Sequence, residues 1–181
     1  MNTSYETDRL TLRILTRREA PMVLDFYKCN LEDFSKFEPM PYPAVTTLKF
    51  HQEMLDYEYQ AYLETSSIRY HIFEKNNPFR IIGTISLRNI NTTHYSSCVI
   101  GYKMDSMYRN RGYCTEALAV LLTNAERDIP IHRTEALVMP NNPASWHMLE
   151  KLGFEREGLL RDKIRLNGKW EDHYLYARIA G

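Results

Sequence analysis

Tyr108-Arg109-Asn110-Arg111-Gly112-Tyr113-Cys114-Thr115-Glu116-Ala117-Leu118 joins a strand-like run to an amphipathic helix, and this junction fixes the kind of fold the chain adopts. Downstream, Leu118, Leu121, Leu122 and Ala125 share one face at helical spacing. Upstream, Ser97 to Met104 reads as a strand, with Ile100 and Tyr102 on it. A helix start offers unpaired backbone N–H groups and the positive end of the macrodipole, so it attracts phosphate. Gly112 lets that backbone come close to an anion, and Arg109 and Arg111 add charge. A plain strand-to-helix turn with solvated arginines accounts for the same residues, because one glycine is a weak phosphate signal.

Outward from this junction the pattern is consistent with an α+β fold. Leu10, Leu12 and Ile14 alternate with polar residues and predict a half-buried strand. Thr16 and Glu19 have the spacing of a capping box ahead of an apolar helical face at Val23, Leu24, Phe26 and Tyr27. The prolines Pro39, Pro41 and Pro43 forbid regular structure, and a second helix is expected from about Thr47 to Leu63. Strands are predicted at Tyr70–Phe73, Arg80–Ile90 and Ser97–Met104, joined by hairpins. Beyond Gly112 come a helix to Arg127, a strand from Thr134 to Met139, a helix from Pro143 to Leu152, and terminal strands. The order β-α-α-β-β-β-α-β-α-β-β predicts a mixed, mostly antiparallel sheet flanked by helices.

The chain has 181 residues, which suits one domain over 1–181 with a core large enough to need no staple. Apolar residues are 44% and charged residues 25%, the balance of a soluble globular protein rather than a disordered or fibrous one. Lys plus Arg equals Asp plus Glu at 23 each, which argues against a protein bound mainly to nucleic-acid phosphates. No apolar run is long enough for a membrane helix. The first eight residues have neither the basic start nor the apolar stretch of a secretory signal. Cys29, Cys98 and Cys114 are odd in number and widely spaced, so neither a zinc site nor a disulfide framework is expected. A reduced, cytoplasmic setting follows as the expectation.

A second segment, Met139 to Phe154, carries Asn142 as an N-cap, Pro143 in the first turn and Gly153 just past the helix end. Capping accounts for those three residues but not for Ser145, whose hydroxyl in the first turn is free to face a ligand.

Together the two segments resemble the GNAT N-acetyltransferase superfamily. Arg109-x-x-Gly112-x-Cys114 is similar to its Gln/Arg-x-x-Gly-x-Gly/Ala pyrophosphate loop. Arg111 to Leu118 is close to the Gly-Tyr-Ala-Thr-Glu-Ala-Leu form of the ribosomal-protein-alanine (Rim-type) branch. Asn142-x-x-Ser145, Glu150-Lys-Leu-Gly-Phe154, the opening Glu6-Thr-Asp-Arg-Leu-Thr-Leu-Arg13 and the late Leu166 to Tyr176 also match, leaving about 30–70 idiosyncratic. One departure is Cys114, where the loop ordinarily ends in Gly or Ala. It is read as a small spacer in preference to a nucleophile.

The resemblance implies acetyl-CoA as co-substrate, no metal, and a splayed strand pair. Its pantetheine would pair with the edge carrying Ile100 and Tyr102, and its pyrophosphate would sit on Arg109, Asn110, Arg111, Gly112, Tyr113 and Cys114, with Asn142 and Ser145 close by. Backbone N–H groups around Val99 to Gly101 would serve the carbonyl oxygen. Many relatives protonate the departing thiolate with a Tyr seven residues after the motif asparagine. Here that residue is Leu149, so the branch's alternative, Ser145, is the expected acid.

Asp172 and His173 are candidate bases, with Glu74 and Glu157 behind them, although Asp172-His173 also suits a purely ordering role. Without a strong base an α-amine is the favoured acceptor. Its pKa near 8 leaves about a tenth neutral at pH 7, whereas lysine at about 10.4 needs roughly 3 kcal/mol more.

The acceptor region is expected between Phe34 and Tyr70, whose aromatics Phe34, Phe37, Tyr42, Phe50, Tyr57, Tyr59, Tyr62 and Tyr70 are assigned mostly to the core. Its acids Glu32, Asp33, Glu38, Glu53, Asp56, Glu58 and Glu64 suit a cationic acceptor or a solvated face. Three readings stay open: acetylation of a protein N-terminus such as a ribosomal protein's, acetylation of a small amine, and a catalytically silent CoA-binding module. None requires direct nucleic-acid contact, and the chain is compatible with a monomer or a homodimer.

Overall fold

The computed structural model describes Met1–Gly181. In chain order it forms β1 (Ser4–Glu6), β2 (Leu10–Arg13), α1 (Ala20–Phe34), α2 (Leu48–Leu63), β3 (Ile68–Glu74) and β4 (Gly83–Asn91). These are followed by β5 (Ser97–Met104), α3 (Tyr113–Asp128), β6 (Arg133–Val138), α4 (Pro143–Lys151), β7 (Glu155–Leu166) and β8 (Lys169–Ile179). The strands make one eight-stranded sheet ordered β1-β2-β3-β4-β5-β6-β8-β7. Every neighbouring pair is antiparallel except β5–β6, which the α3 crossover makes parallel. The α+β architecture predicted from sequence is present. One strand was not foreseen: β1 is too short for its alternation to show, and it adds onto β2.

Local chemistry sets the helix ends. Thr16 and Glu19 close the anticipated capping box, but it opens a short 3-10 turn, Arg17–Glu19, that runs on into α1. Thr47 caps α2 by accepting from the Phe50 N–H at 3.3 Å. Gly153 stops the chain after α4 at φ 80°, a conformation that favours glycine.

The two faces of the sheet differ in chemistry. Ile68, Tyr70, Ile72, Ile85, Leu87, Cys98 and Ile100 pack with Leu118, Leu121 and Leu122 of α3 in the larger core. Phe73 and Ile81 pack with Val23, Phe26 and Leu55 in a smaller core under α1 and α2. Between those cores the α1–α2 face carries polar residues. The register aligns Arg69 with Ser86 and His71 with Thr84 on β3–β4, then Ser86 with Gly101 and Thr84 with Lys103 on β4–β5. Arg69 reaches α2, pairing with Glu58 at 2.6 Å, and Lys103 reaches α1, where its ammonium donates to the Tyr27 hydroxyl at 3.1 Å.

The core assignment for the 34–70 aromatics holds in part. Phe34 and Tyr70 are buried, whereas Phe37, Tyr42, Tyr57 and Tyr59 are exposed. Helical spacing placed the latter two, but α2 buries only the narrow stripe of His51, Leu55 and Ala61. Most acids of this region are partnered: Asp33, Glu38, Glu53, Asp56 and Glu58 each meet a cation, whereas Glu32 and Glu64 do not.

The feature that positions the site is the parting of β5 and β6. They pair only over Ser97–Val99 against Arg133–Glu135. Beyond that, β5 stays with β4 as far as Met104, and β6 stays with β8 as far as Val138. The Ile100–Met104 stretch is therefore left with no strand on its β6 side.

Candidate active site

The loop from β5 into α3 is built to hold N–H groups apart. Asp105 accepts from the Met107 N–H at 2.9 Å and pairs with Arg80 at 3.1 Å, fixing the exit from β5. Asn110 at φ 60° and Gly112 at φ 77° then turn the backbone through left-handed conformations. Gly112 is the N-cap of α3 and supplies no side-chain cap. The first helical bond runs from the Glu116 N–H to the Gly112 carbonyl at 3.0 Å. The N–H groups of Tyr113, Cys114 and Thr115 thus point out of the helix without protein acceptors.

Arg9 clamps this loop from the other end of the chain. Its Nη1 donates to the Arg111 carbonyl at 3.0 Å, its Nε donates to Glu116 at 2.7 Å, and its guanidinium lies 4.6 Å from the Tyr113 ring centroid. The Thr7 hydroxyl also donates to Glu116. Burial opposes charge on Glu116, but these donors win and hold its carboxyl below the ordinary range. Sequence reading matched the opening motif without seeing its task, since nothing local links Arg9 to a residue about a hundred positions on.

The two loop arginines are not equivalent. Arg111 lies over the Tyr108 ring at 5.2 Å. Arg109 pairs with Asp33 at the end of α1 and donates to the Met104 carbonyl at 3.2 Å. Its side chain ties the loop to α1, so the charge expected for an anion at this position is already partnered.

A cleft of about 570 Å3 opens where β5 leaves β6. Tyr102, Lys103 and Met104 line it from β5, Arg109, Asn110 and Gly112 to Thr115 from the loop, and Asn142, Ser145 and Met148 from the start of α4, with Phe34, Phe37 and Glu38 closing one end. The Asn142 carboxamide accepts from the Ser145 N–H at 3.3 Å and so fixes the first turn of α4. The Ser145 hydroxyl meets the Tyr102 phenol at 2.5 Å across the cleft. Burial holds the Tyr102 phenol protonated well above its ordinary range, more than the Ser145 hydrogen bond lowers it. Sequence reading had placed Tyr102 on the binding edge only. Alternation along β5 puts Ile100, Tyr102 and Met104 on the α3–α4 face, a signal that gives the face of the phenol but not its partner.

Ile100 is buried against α3, so its backbone rather than its side chain borders the gap. Leu149 is fully buried in the core. Burial pushes the Cys114 thiol up to about 12, which keeps it protonated at neutral pH.

None of the four candidate bases lines the cleft. Asp172 accepts from the Asp162 N–H at 2.9 Å, and buried His173 meets the Glu171 carbonyl at 3.1 Å, both inside the β7–β8 hairpin. Glu74 accepts from the Tyr113 hydroxyl at 2.6 Å, and Glu157 pairs with Arg133. Glu38 is the only carboxylate that lines the cleft, and it is ion-paired with Lys103.

Comparison with known proteins agrees with this geometry. The family described as acetyltransferase (GNAT) domain matches residues 9–155. A probable N-acetyltransferase of Bacillus subtilis, YjcK, is 40% identical over 122 residues, which is 66% of this chain and 66% of that protein. The Escherichia coli ribosomal protein uS5-alanine N-acetyltransferase is 29% identical over 171 residues, 94% of this chain and 88% of that protein. Among solved structures, the ribosomal-protein-S5-alanine acetyltransferase of Vibrio fischeri superposes with a TM-score of 0.93 at 26% identity, covering 98% of this chain and 97% of that one. RimJ of Mycobacterium smegmatis, solved in complex with CoA-disulfide, superposes at 0.87 with 25% identity, covering 94% and 82%.

Proposed function

The chain belongs to the GNAT family of N-acetyltransferases, and on that premise we propose that its acceptor is the N-terminal α-amine of a protein, a ribosomal protein being the leading case. The observation that carries this reading is the state of the cleft's acids. Its one carboxylate, Glu38, is held by Lys103. Its one imidazole, His147, stands exposed with its ring 3.9 Å from Trp146. A cleft whose one carboxylate is already ion-paired suits an amine that is partly neutral unaided, which an α-amine is and a lysine is not. The relatives named as alanine acetyltransferases of ribosomal protein S5 match nearly the whole chain and support a protein acceptor.

The residues present fit acetyl-CoA, which when bound supplies a thioester carbonyl and a thiolate that must leave protonated. The free N–H groups of Tyr113, Cys114 and Thr115 are placed for a pyrophosphate, backed by the helix dipole. Asn110, Arg111 and Gly112 shape that cradle, and Arg109 holds it against α1. The open β5 edge at Ile100 and Tyr102 accepts an extended amide-bearing arm as an added strand. N–H groups near Val99 to Gly101 donate to the thioester oxygen, where negative charge develops. Ser145, held by Asn142 and joined to the Tyr102 phenol, returns the proton to sulfur.

Gly112→Ala is expected to cost about 1 kcal/mol of stability through the left-handed backbone it forces on alanine. Cβ itself fits, since its nearest neighbour would be Arg9 Nη2 at 3.5 Å. Acetyl-CoA affinity should fall about tenfold, or about 1.4 kcal/mol. Thermal denaturation and calorimetric titration measure the two effects.

Calorimetry of acetyl-CoA into the purified protein, followed by CoA release with peptide acceptors, tests the function. Micromolar binding is expected, together with acetylation of peptides bearing a free N-terminal alanine or serine. The same peptides with a blocked N-terminus and an internal lysine should be inert. Acetylation confined to the lysine, or to small amines, overturns the reading.

A further inference from the structure

On the opposite face of the sheet from Tyr102 and Ser145, one residue beside the gap stands out. The α1–α2 face beside the β5–β6 gap carries three cations. Arg69 is paired with Glu58 and Lys103 with Glu38, but Arg88 has neither an ion pair nor a hydrogen bond to the protein. Arg88 is opposite Val99 in the register, at the point where β5 parts from β6.

Two features of the backbone aim its guanidinium at the gap. β4 bulges between Arg88 and Asn91, and Asn89 stands at φ 52°. Bulges of this kind re-aim a side chain out of the regular ladder. Across the strand, Gly101 leaves the space in which the guanidinium rests. A Cβ at Gly101 would come within 3.2 Å of Arg88 Nη2 and 3.3 Å of Cζ. The planar fork therefore lies against β5 next to the N–H groups read above as the thioester site. Desolvation along that side, then Arg69, disfavours its charge, and Glu38 favours it. The residue as a whole stays exposed, so a guanidinium with no ion-pair partner at the gap is open to a carboxylate that its fork matches in two hydrogen bonds.

We infer that Arg88 binds a carboxylate of the acceptor close to the reacting amine, so that the preferred acceptor is a protein N-terminus with an acidic side chain in its second or third position. This rests on the reading of the β5–β6 gap as the place of acetyl transfer to an α-amine. It also reverses the polarity expected from the acids of residues 30–70, because Glu38 and Glu58, the acids that meet this face, are paired and the unpartnered charge at the gap is positive.

Two hexapeptides that share a free N-terminal alanine serve as probes, one with Asp at positions two and three and one with Asn there. For the native protein kcat/KM should be at least tenfold higher for the Asp peptide. In Arg88→Gln that ratio should collapse toward one, and Arg88→Lys should retain more of it than Arg88→Gln does, an ordering that a merely structural residue would not produce. Equal use of both peptides by the native protein, or a ratio unchanged in Arg88→Gln, overturns the inference while leaving N-terminal acetylation standing. Acetylation of neither peptide, with acetyl-CoA bound, overturns both.

Discussion

Ser145→Ala is expected to lower turnover by roughly a hundred- to ten-thousandfold, the range that a positioned general acid supplies, with acetyl-CoA affinity nearly unchanged. Tyr102→Phe should give a loss of the same order. The two hydroxyls share one hydrogen bond at 2.5 Å, so one oxygen donates to the other and a single proton is left to face the sulfur. Removing either member breaks the same relay. The double variant should therefore be little worse than the more damaged single one, the non-additivity of residues that act as a unit. Steady-state rates on a good amine acceptor, beside calorimetric dissociation constants, measure this. Unchanged turnover in Ser145→Ala removes the serine from the mechanism, and additive losses separate the two hydroxyls into independent roles.

The second large effect concerns stability in acid. His71 lies on β3, 1% exposed, and neither ring nitrogen finds a partner of good geometry. Burial first, then Arg69, Lys103 and Arg13, push its pKa down to about 3. A histidine kept neutral in the fold and ordinary when unfolded contributes stability that is fully present above about pH 6.5. That contribution is lost as pH falls from there toward 3. Between pH 6.5 and 4 linkage puts the loss on the order of 3 kcal/mol. His51, also buried and lowered mainly by burial, acts in the same sense. Urea denaturation at a series of pH values should show this decline, and His71→Gln should flatten much of it. A native curve that is level between pH 6.5 and 4 would mean that His71 finds a proton-accepting environment on the α1–α2 face.

What the sequence disclosed was local chemistry. Thr47 and Asn142 show their caps, Gly153 its stop and Gly112 its turn, because each acts on atoms a few residues away. The alternation of β5 and the helical stripe of α3 were equally legible, and with them the strand and the helix start that border the cleft. What stayed hidden depends on pairs far apart in the chain. Tyr102 and Ser145 are 43 positions apart, and Arg9 is 107 from Glu116. The candidate bases had the right chemistry, but Asp172 and Glu157 are spent on a hairpin and an ion pair, and no linear pattern records which acid already has a partner. The parting of β5 from β6 is a fact of sheet order that no local pattern records, and it was expected only through the family resemblance.

The grip of Arg9 on Arg111 and Glu116 bears on how this loop could be transplanted. A protein engineer copying Tyr108 to Leu118 into another strand–helix junction would carry over every residue of the signature and leave behind the side chain that holds the carbonyl of Arg111 in place. The graft would have the letters without the shape. The portable unit is discontinuous: the α3 entrance together with Thr7 and Arg9, docked as a pair.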